Sequence, residues 1–313
     1  MFEFCGDELY CRKSKGVVKV KGIILAGGNG TRLHPLTTVV TKQLLPVYDK
    51  PMIHYPLATL ILAGIKEILI ISKKGDDKLF RKLLGDSSKY GIKLEYKVQE
   101  NPNGIPEAFI LGEEFIGNDN VCLALGDNIF HGHALPELLQ KGANLVDSTG
   151  GAVIFGHHVK NPERYGIIRQ GKWGKILGIE EKPKRPKSNC AVVGLYMYSN
   201  DVINIAKKLK PSNRGETEIT DVNNHYLAEK KLHLIKFGRG YSWFDTGVAD
   251  SLLNASNYVQ AIQNRQGLKI SCIEETAHYM GFINDDQLRA LAADIKNPDY
   301  SNYLYDILNK DEE

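Results

Sequence analysis

Gly27, Gly28 and Gly30 fall within four consecutive positions, Thr31 and Arg32 follow at once, and Lys42 opens the run Lys42-Gln43-Leu-Leu-Pro46. A glycine cluster lets the backbone bend with φ > 0 and brings its N–H groups against an anion without side-chain obstruction. Arg32 and Lys42 add positive charge just beyond it. Such a set can cradle a polyphosphate, whereas a bare turn between strand and helix needs neither cation. Two other phosphate loops fail on spacing. The pattern G-x-x-x-x-G-K-[S/T] has no match, and the dinucleotide pattern G-x-G-x-x-G meets Leu33 where its third glycine should stand.

Two carboxylates extend the chemistry. Asp127 follows the apolar run 121–125, and Asp245 follows the aromatic run Tyr241-Ser-Trp-Phe244. Carboxylates carried on separate strands into a phosphate site are the oxygen donors that Mg²⁺ takes, with phosphates and water in the remaining positions. Taken singly, Asp127 reads as an Asx-turn before Asn128 and Asp245 as a helix cap. Their joint occurrence with the glycine loop favours a metal-assisted phosphate site.

The elements that must position these groups alternate along the chain. Residues 18–25 form a β-branched apolar run suited to a strand covered on both faces, and the glycine loop follows at its carboxyl end. Strands are predicted at 68–72, 93–99 and 121–125, with helices at 77–84 and 106–116 between them, which implies right-handed βαβ units. The fold class is α/β, a Rossmann-like mostly parallel sheet. Ligands of such sheets sit beyond the carboxyl ends of the strands, so the glycine loop and Asp127 can face one pocket. The middle third changes character: 152–159, 166–170, 176–181 and 191–198 read as strands with glycine turns, an inserted β-rich half. Helices return at 202–209 and 221–230, followed by a strand at 232–237. A long amphipathic helix at 249–266 then opens a helical tail with further helices near 286–295 and 303–308. The expected organisation is a poorly ordered extension over 1–19, a catalytic domain over 20–248, and a helical segment over 249–313 packed on the same domain.

Composition excludes several classes. The 313 residues are 42 % hydrophobic and 25 % charged, ordinary for a globular chain, and the net charge of +3 is spread out, which argues against a nucleic-acid partner. The densest cationic group, Lys182-Pro-Lys-Arg-Pro-Lys187, reads as a solvated loop with one functional lysine. No run approaches a transmembrane span, and the first twenty residues lack the apolar centre of a signal peptide, so the expected place is the cytoplasm. Five scattered cysteines without a C-x-x-C pair argue against a disulfide framework or a zinc site. His157-His158 should point to opposite faces of its strand.

The strings Leu25-Ala-Gly-Gly-Asn-Gly-Thr-Arg-Leu33 and Lys42-Gln-Leu-Leu-Pro46 resemble the signature of the sugar-phosphate nucleotidylyltransferases. The continuation Val47-Tyr-Asp-Lys-Pro-Met-Ile-His-Tyr-Pro56 is similar to that of the glucose-1-phosphate thymidylyltransferases. Further matches run in order through Gly126-Asp127-Asn128, Tyr165-Gly166, Glu180-Glu181-Lys182-Pro183, Val193-Gly194-Leu195-Tyr196, Gly215-Glu216-x-Glu218-Ile-Thr-Asp221 and Trp243-Phe244-Asp245-Thr246-Gly247. Together they cover about residues 20 to 310.

The resemblance implies a reaction of dTTP with α-D-glucose 1-phosphate that gives dTDP-glucose and pyrophosphate. It implies catalytic roles for Arg32, on the β/γ phosphates, for Lys182, on the sugar phosphate, and for Lys42, near the nucleotide phosphates. Asp127 and Asp245 would hold Mg²⁺. Leu25, Gly27, Gly28, Gly30, Thr31, Gln43, Gln99, Gly104 and Asp127 would bind the nucleotide, Gln99 and the Gly104 backbone reading the pyrimidine. Gly166, Glu181, Lys182, Val192 and Tyr196 would take the glucose 1-phosphate. It also implies a homotetramer with a second, regulatory nucleotide-sugar site at Gly132, His133 and Arg239. One stretch departs from the pattern: Gly104-Ile-Pro-Glu-Ala108 stands where the family reads Gly-Leu-Ala-Gln-Ala, which leaves dTTP against UTP open. A glucose-1-phosphate uridylyltransferase and a non-catalytic nucleotide-sugar sensor are the rival readings. The sensor should have lost one of Arg32, Lys182, Asp127 or Asp245, and all four are present.

Overall fold

A computed structural model describes residues 19–28 and 30–310. The expected N-terminal extension falls, Lys19 apart, outside the described residues. In the first half the order is β1 (Val20–Ala26), β2 (Pro46–Val47), β3 (Lys50–Pro51), α1 (His54–Leu62), β4 (Glu67–Ser72), α2 (Asp76–Leu84) and β5 (Lys93–Val98). There follow α3 (Glu107–Leu111), α4 (Glu113–Ile116), β6 (Asn120–Leu125), β7 (Asn128–His131) and α5 (Leu135–Thr149). Next come β8 (Ala152–His158), β9 (Gly166–Gln170), β10 (Ile176–Glu181), β11 (Cys190–Tyr198), α6 (Val202–Lys208) and α7 (Ile219–Ala228). The chain continues through β12 (Leu232–Lys236), β13 (Ser242–Asp245), α8 (Ala249–Gln266), α9 (Ile273–Tyr279), α10 (Asp285–Asp294) and α11 (Pro298–Lys310).

Strands β6, β1, β4 and β5 run parallel side by side, with Leu25 level with Leu125 on one flank and with Ile71 on the other. Because side chains alternate across a strand, β1 sends Ile24 and Ala26 into one apolar layer and Ile23 into the other. The first layer is covered by α1, α5 and the C-terminal helices, through residues such as Leu57, Leu139, Ile273, Leu288 and Leu304. The second is covered by α3, α6 and α7, through Phe109, Val202 and Val222. The sheet is thus buried on both faces, as the apolar reading of β1 requires.

The middle third extends this sheet with antiparallel strands. β11 pairs with β6 through Leu195–Tyr198 on one edge and with β8 on the other, and Ala191 near its start pairs with Ile167 of β9. Its register against β8 shifts between Val192 and Tyr196, and on its other edge the start of β11 meets β9 where its end meets β6. β10 closes this side on β9, and β12 runs parallel to β8. His157 and His158 lie on β8 with unequal exposure, the first partly buried and the second exposed.

The predicted single helix over 106–116 is two short ones. Gly112 divides α3 from α4, and a side chain there would meet the Ala108 carbonyl and Ile23 Cδ1 at 2.9 Å each. Among the described residues no helix is long and apolar enough to cross a membrane.

Candidate active site

The parallel register of β1 and β6 brings their carboxyl ends to one edge, so the loop after Ala26 and the turn at Gly126-Asp127 emerge together. The Gly126 N–H donates to the Leu25 carbonyl at 2.9 Å, which holds the turn against β1. A cavity of about 420 Å³ opens there. Its lining includes nine of the residues singled out from the sequence: Leu25, Gly28, Gly30, Thr31, Arg32, Lys42, Gln99, Gly104 and Asp127. Glu216 and Gly247, to which the sequence reading gave no role, line it as well.

The glycines act differently from expectation. Left-handed backbone was expected across the cluster, and among Gly27, Gly28 and Gly30 only Gly30 adopts it, with φ 62°. The Gly30 carbonyl accepts from Leu33 N–H and from Thr37 Oγ1, both at 2.9 Å, which closes the short turn carrying Arg32. Gly27 is required for room: a Cβ there would stand 2.4 Å from Gln99 Oε1. At Gly28 a Cβ would meet nothing within 4 Å, so its backbone is open to the cavity.

Lys42, nearly buried on a 3₁₀ turn, donates to Asp127 Oδ2, and Asn128 Nδ2 donates to Asp127 Oδ1 at 2.9 Å. Burial pushes the Asp127 carboxyl up, but the Lys42 ammonium and these two hydrogen bonds outweigh it and hold the group below the usual carboxylate range. Asp245 ends β13, directly opposite Asn128 in the antiparallel pair β7–β13. Burial and the neighbouring Asp127 charge raise its carboxyl above the usual range, against the opposing pull of Lys42, Arg32 and Arg164. Arg32 reaches the same place: a Cβ on Gly247 would lie 2.9 Å from one of its guanidinium nitrogens and 3.0 Å from Asp245 Oδ1. Two neighbouring carboxylates, both oxygen donors, fit a divalent cation such as Mg²⁺, although no cluster of three ligating side chains occurs among the described residues. Phosphate and water oxygens would have to complete the shell.

Gln99 follows β5 and is 5 % exposed. Its Nε2 donates to Glu107 Oε2 at 2.6 Å, and Asn103 Nδ2 donates to Glu107 Oε1 at 2.8 Å. Gly104, at φ 118°, lies against Thr217, whose N–H donates to the Asn103 carbonyl at 2.8 Å. Gln43 is buried behind the loop, its Oε1 accepting from Thr41 at 3.1 Å and its Cγ 3.0 Å from where a Gly126 side chain would stand.

The residues read as the sugar side gather on β9, β10 and β11, with Lys182 just past the end of β10, outside the lining of that cavity. Glu181 Oε2 accepts from Thr220 Oγ1 at 2.6 Å, while Oε1 faces Lys182 Nζ at 3.7 Å and Arg214 at 3.5 Å. A side chain at Gly166 would come within 3.3 Å of Glu181 Oε2. Lys182 holds a left-handed φ of 42°, and its N–H donates to the Tyr165 carbonyl at 3.1 Å. Val192 and Tyr196 stand at either end of the irregularity in β11 and are largely buried. A ring pair links the two sides: Tyr165 lies 5.0 Å from Trp243, whose Nε1 donates to Asn128 Oδ1 at 2.6 Å.

A family model described as nucleotidyl transferase matches residues 21–262. The chain belongs to the nucleotidyl transferase family. Two curated relatives named glucose-1-phosphate thymidylyltransferase are similar along almost all of it. The protein from Neisseria meningitidis serogroup A is 52 % identical over 93 % of this chain and its own full length. That from Mycolicibacterium smegmatis is 51 % identical over 93 % of this chain and its own full length. A solved structure from Bacillus anthracis, described as that of a candidate glucose-1-phosphate thymidylyltransferase in complex with a sucrose, superposes with TM-score 0.70 at 40 % identity, covering 76 % of this chain and 94 % of that one. A UDP-glucose pyrophosphorylase complexed with UDP-glucose superposes with TM-score 0.67 at 25 % identity, covering 78 % and 99 %.

Three polar residues that the sequence reading left without a role stand beside these groups. Asn128 accepts from Trp243 and from Gly194 N–H while donating to Asp127, so it couples the carboxylate to β11 and β13. Arg164 contributes charge to Asp245, and Arg214 pairs with both Glu181 and Glu218. The adjacency of Asn128 to Asp127, and of Arg164 to Tyr165-Gly166, was the available signal. Of the residues read as regulatory, Gly132 and His133 lie against Tyr241: its hydroxyl donates to the His133 carbonyl and its ring occupies the space a Gly132 side chain would fill. Arg239 is exposed two residues before Tyr241, and His131 Nδ1 lies 2.8 Å from the Tyr258 hydroxyl.

Proposed function

We propose that the chain transfers a thymidylyl group from dTTP to α-D-glucose 1-phosphate, giving dTDP-glucose and pyrophosphate. The observation that carries this is the meeting of Arg32, Lys42, Asp127 and Asp245 beside a glycine-lined cavity, in a chain half identical to proteins that bear that name. A phosphate oxygen of the sugar attacks the α-phosphorus of dTTP, and the α-phosphorus to bridging-oxygen bond breaks, its electron pair leaving with pyrophosphate. The attacking group is already an anion at neutral pH, so no general base is needed. The work is positioning and charge neutralisation.

In this reading Arg32 grips the β and γ phosphates with its planar fork and stabilises the leaving pyrophosphate. Lys42 keeps Asp127 ionised and offsets charge on the nucleotide. Lys182 holds the phosphate of glucose 1-phosphate, and Gly166, Glu181, Val192 and Tyr196 receive the glucosyl group. Asp127 and Asp245 would hold Mg²⁺, which when bound supplies positive charge to the phosphates. Gln99 and Gly104 read the base, with Gly27 making room for Gln99. The product would feed dTDP-sugar routes such as that to dTDP-rhamnose. A homotetramer, and a second nucleotide-sugar site at Gly132, His133 and Arg239, belong to the same reading. Sedimentation should then give four copies of the chain, and Arg239→Ala should relieve inhibition by a dTDP-sugar without slowing turnover.

The likeness to UDP-glucose pyrophosphorylase favours UTP as the second reading. ³¹P NMR of the protein with Mg²⁺, glucose 1-phosphate and either nucleotide separates them: equimolar pyrophosphate and a sugar diphosphodiester should appear with dTTP. Asp245→Asn should lower this turnover by at least about 10²-fold while unfolding at the same temperature or higher, because it removes a carboxylate that burial and Asp127 disfavour. Unchanged turnover would remove Asp245 from the site.

A further inference from the structure

We propose that Glu107 is a positioning residue that sets base selectivity, fixing Gln99 so that the cavity takes a pyrimidine with a ring N–H donor and turns away one with a ring lone pair. The inference deepens the reading of the cavity as a nucleotide site and rests on it.

An ionised carboxylate accepts hydrogen bonds and cannot donate them. Gln99 therefore faces Glu107 with its NH₂ group, Nε2 to Oε2 at 2.6 Å, and the reverse orientation would set two acceptors against each other. The Gln99 N–H is itself bonded to the Ser72 carbonyl at 2.8 Å, and the residue is nearly buried, so the side chain has one place to lie. Its Oε1 is left above Gly27, where a Cβ would stand 2.4 Å away, and Gln99 lines the cavity. The cavity thus presents a fixed acceptor.

The same carboxylate holds the neighbouring loop. Glu107 Oε1 accepts from Asn103 Nδ2 at 2.8 Å and Oε2 accepts from Asn103 N–H at 3.4 Å. The Asn103 carbonyl in turn accepts from Thr217 N–H at 2.8 Å and Thr217 Oγ1 at 3.0 Å. Gly104, between these anchors, packs so closely that a Cβ would lie 2.1 Å from the Thr217 carbonyl. Both groups expected to read the base therefore hang on one side chain, at the first turn of α3.

Uracil and thymine carry N–H at ring position 3, while cytosine carries a lone pair there. A fixed acceptor pairs with the first and leaves an unpaired, desolvated clash with the second, a rejection stronger than any fit of shape gives. A glutamine at position 107 could offer either end of its amide to Gln99, whereas the Glu107 carboxylate allows one orientation.

The test is calorimetric binding of dTDP and dCDP to the wild type, Glu107→Gln and Glu107→Ala, with pyrophosphate release from dTTP and dCTP measured in parallel. Wild type should favour dTDP. Glu107→Ala should lower the dTDP-to-dCDP affinity ratio at least about tenfold, with dCDP binding improved in absolute terms, and the near-isosteric Glu107→Gln should lie between. The proposal is overturned by equal affinities in the wild type, by an unchanged ratio in both variants, or by equal losses for both nucleotides. Selective binding without pyrophosphate release would sink the proposed reaction and leave this inference standing.

Discussion

Replacing Asn128 by leucine tests the polar centre of the site with a side chain of the same number of heavy atoms and no polar group. Asn128 is 2 % exposed; its Oδ1 accepts from Gly194 N–H at 3.1 Å and from Trp243 Nε1–H at 2.6 Å, and its Nδ2 donates to Asp127 Oδ1 at 2.9 Å. Leucine orphans both donors, and each unpaired buried donor costs about 1–3 kcal/mol, so the expected destabilisation is about 2–6 kcal/mol. That is a large share of the roughly 5–15 kcal/mol by which a domain is stable. Asp127 also loses a hydrogen bond that favours its ionised form, so turnover should fall in any protein that remains folded. Urea unfolding followed by circular dichroism measures the first effect, with a lower midpoint and an unchanged slope. Asn128→Asp restores an acceptor for Gly194 and Trp243 and should recover part of the stability, yet it places a further carboxylate beside Asp127 and should still lower turnover. A loss below about 1 kcal/mol in Asn128→Leu would refute the reasoning, because a relaxed site or a water would then be satisfying both donors.

Two further perturbations bear on separate parts of the account. Arg32→Ala should lower kcat by about 10²–10³-fold while the KM for glucose 1-phosphate changes little; an effect confined to KM would contradict a role on the leaving group. Glu275, which accepts from the Tyr303 hydroxyl at 2.8 Å and faces Glu274, Lys50 and Lys269, has its carboxyl pushed up by burial to about 7. The folded state then keeps a proton that the unfolded chain releases near 4.5, so stability should fall as pH rises from about 4.5 to 7 and level off above. The decrease is up to about 3 kcal/mol. Glu275→Gln should flatten this slope, as urea melts at pH 5, 6, 7 and 8 would show, and an undiminished slope would assign it to other groups.

What the sequence disclosed and what it hid divide along physical lines. Local period was legible: the helix expected over 249–266 is α8 residue for residue, and the apolar run ending at Leu25 is β1. Periodicity failed at α1, where His54–Leu62 is buried at almost every position and so carries no polar face to reveal a helix. The amphipathic α5 and the short β7 also went unassigned, and β7 is a four-residue strand defined by its pairing with β13.

The glycine loop announced a phosphate site, but Gly27 and Gly30 look alike in sequence and serve different ends, one making room for a side chain 72 positions away and the other turning the chain. The charges were visible, whereas the ion pair between Lys42 and Asp127, 85 positions apart, arises only when β1 and β6 are laid side by side. Glu107 stood out as a departure from a pattern; its partners Gln99 and Asn103 could not be read from spacing, because they depend on where β5 ends against α3.

The central claim is nucleotidyl transfer to a sugar phosphate, and the measurement that tests it most directly is pyrophosphate release by the purified protein with Mg²⁺ and glucose 1-phosphate, run in parallel with dTTP, UTP, ATP, CTP and GTP. The account predicts release with dTTP in preference to the others, and none when glucose 1-phosphate is omitted. Folded protein that releases no pyrophosphate with any of the five would contradict it.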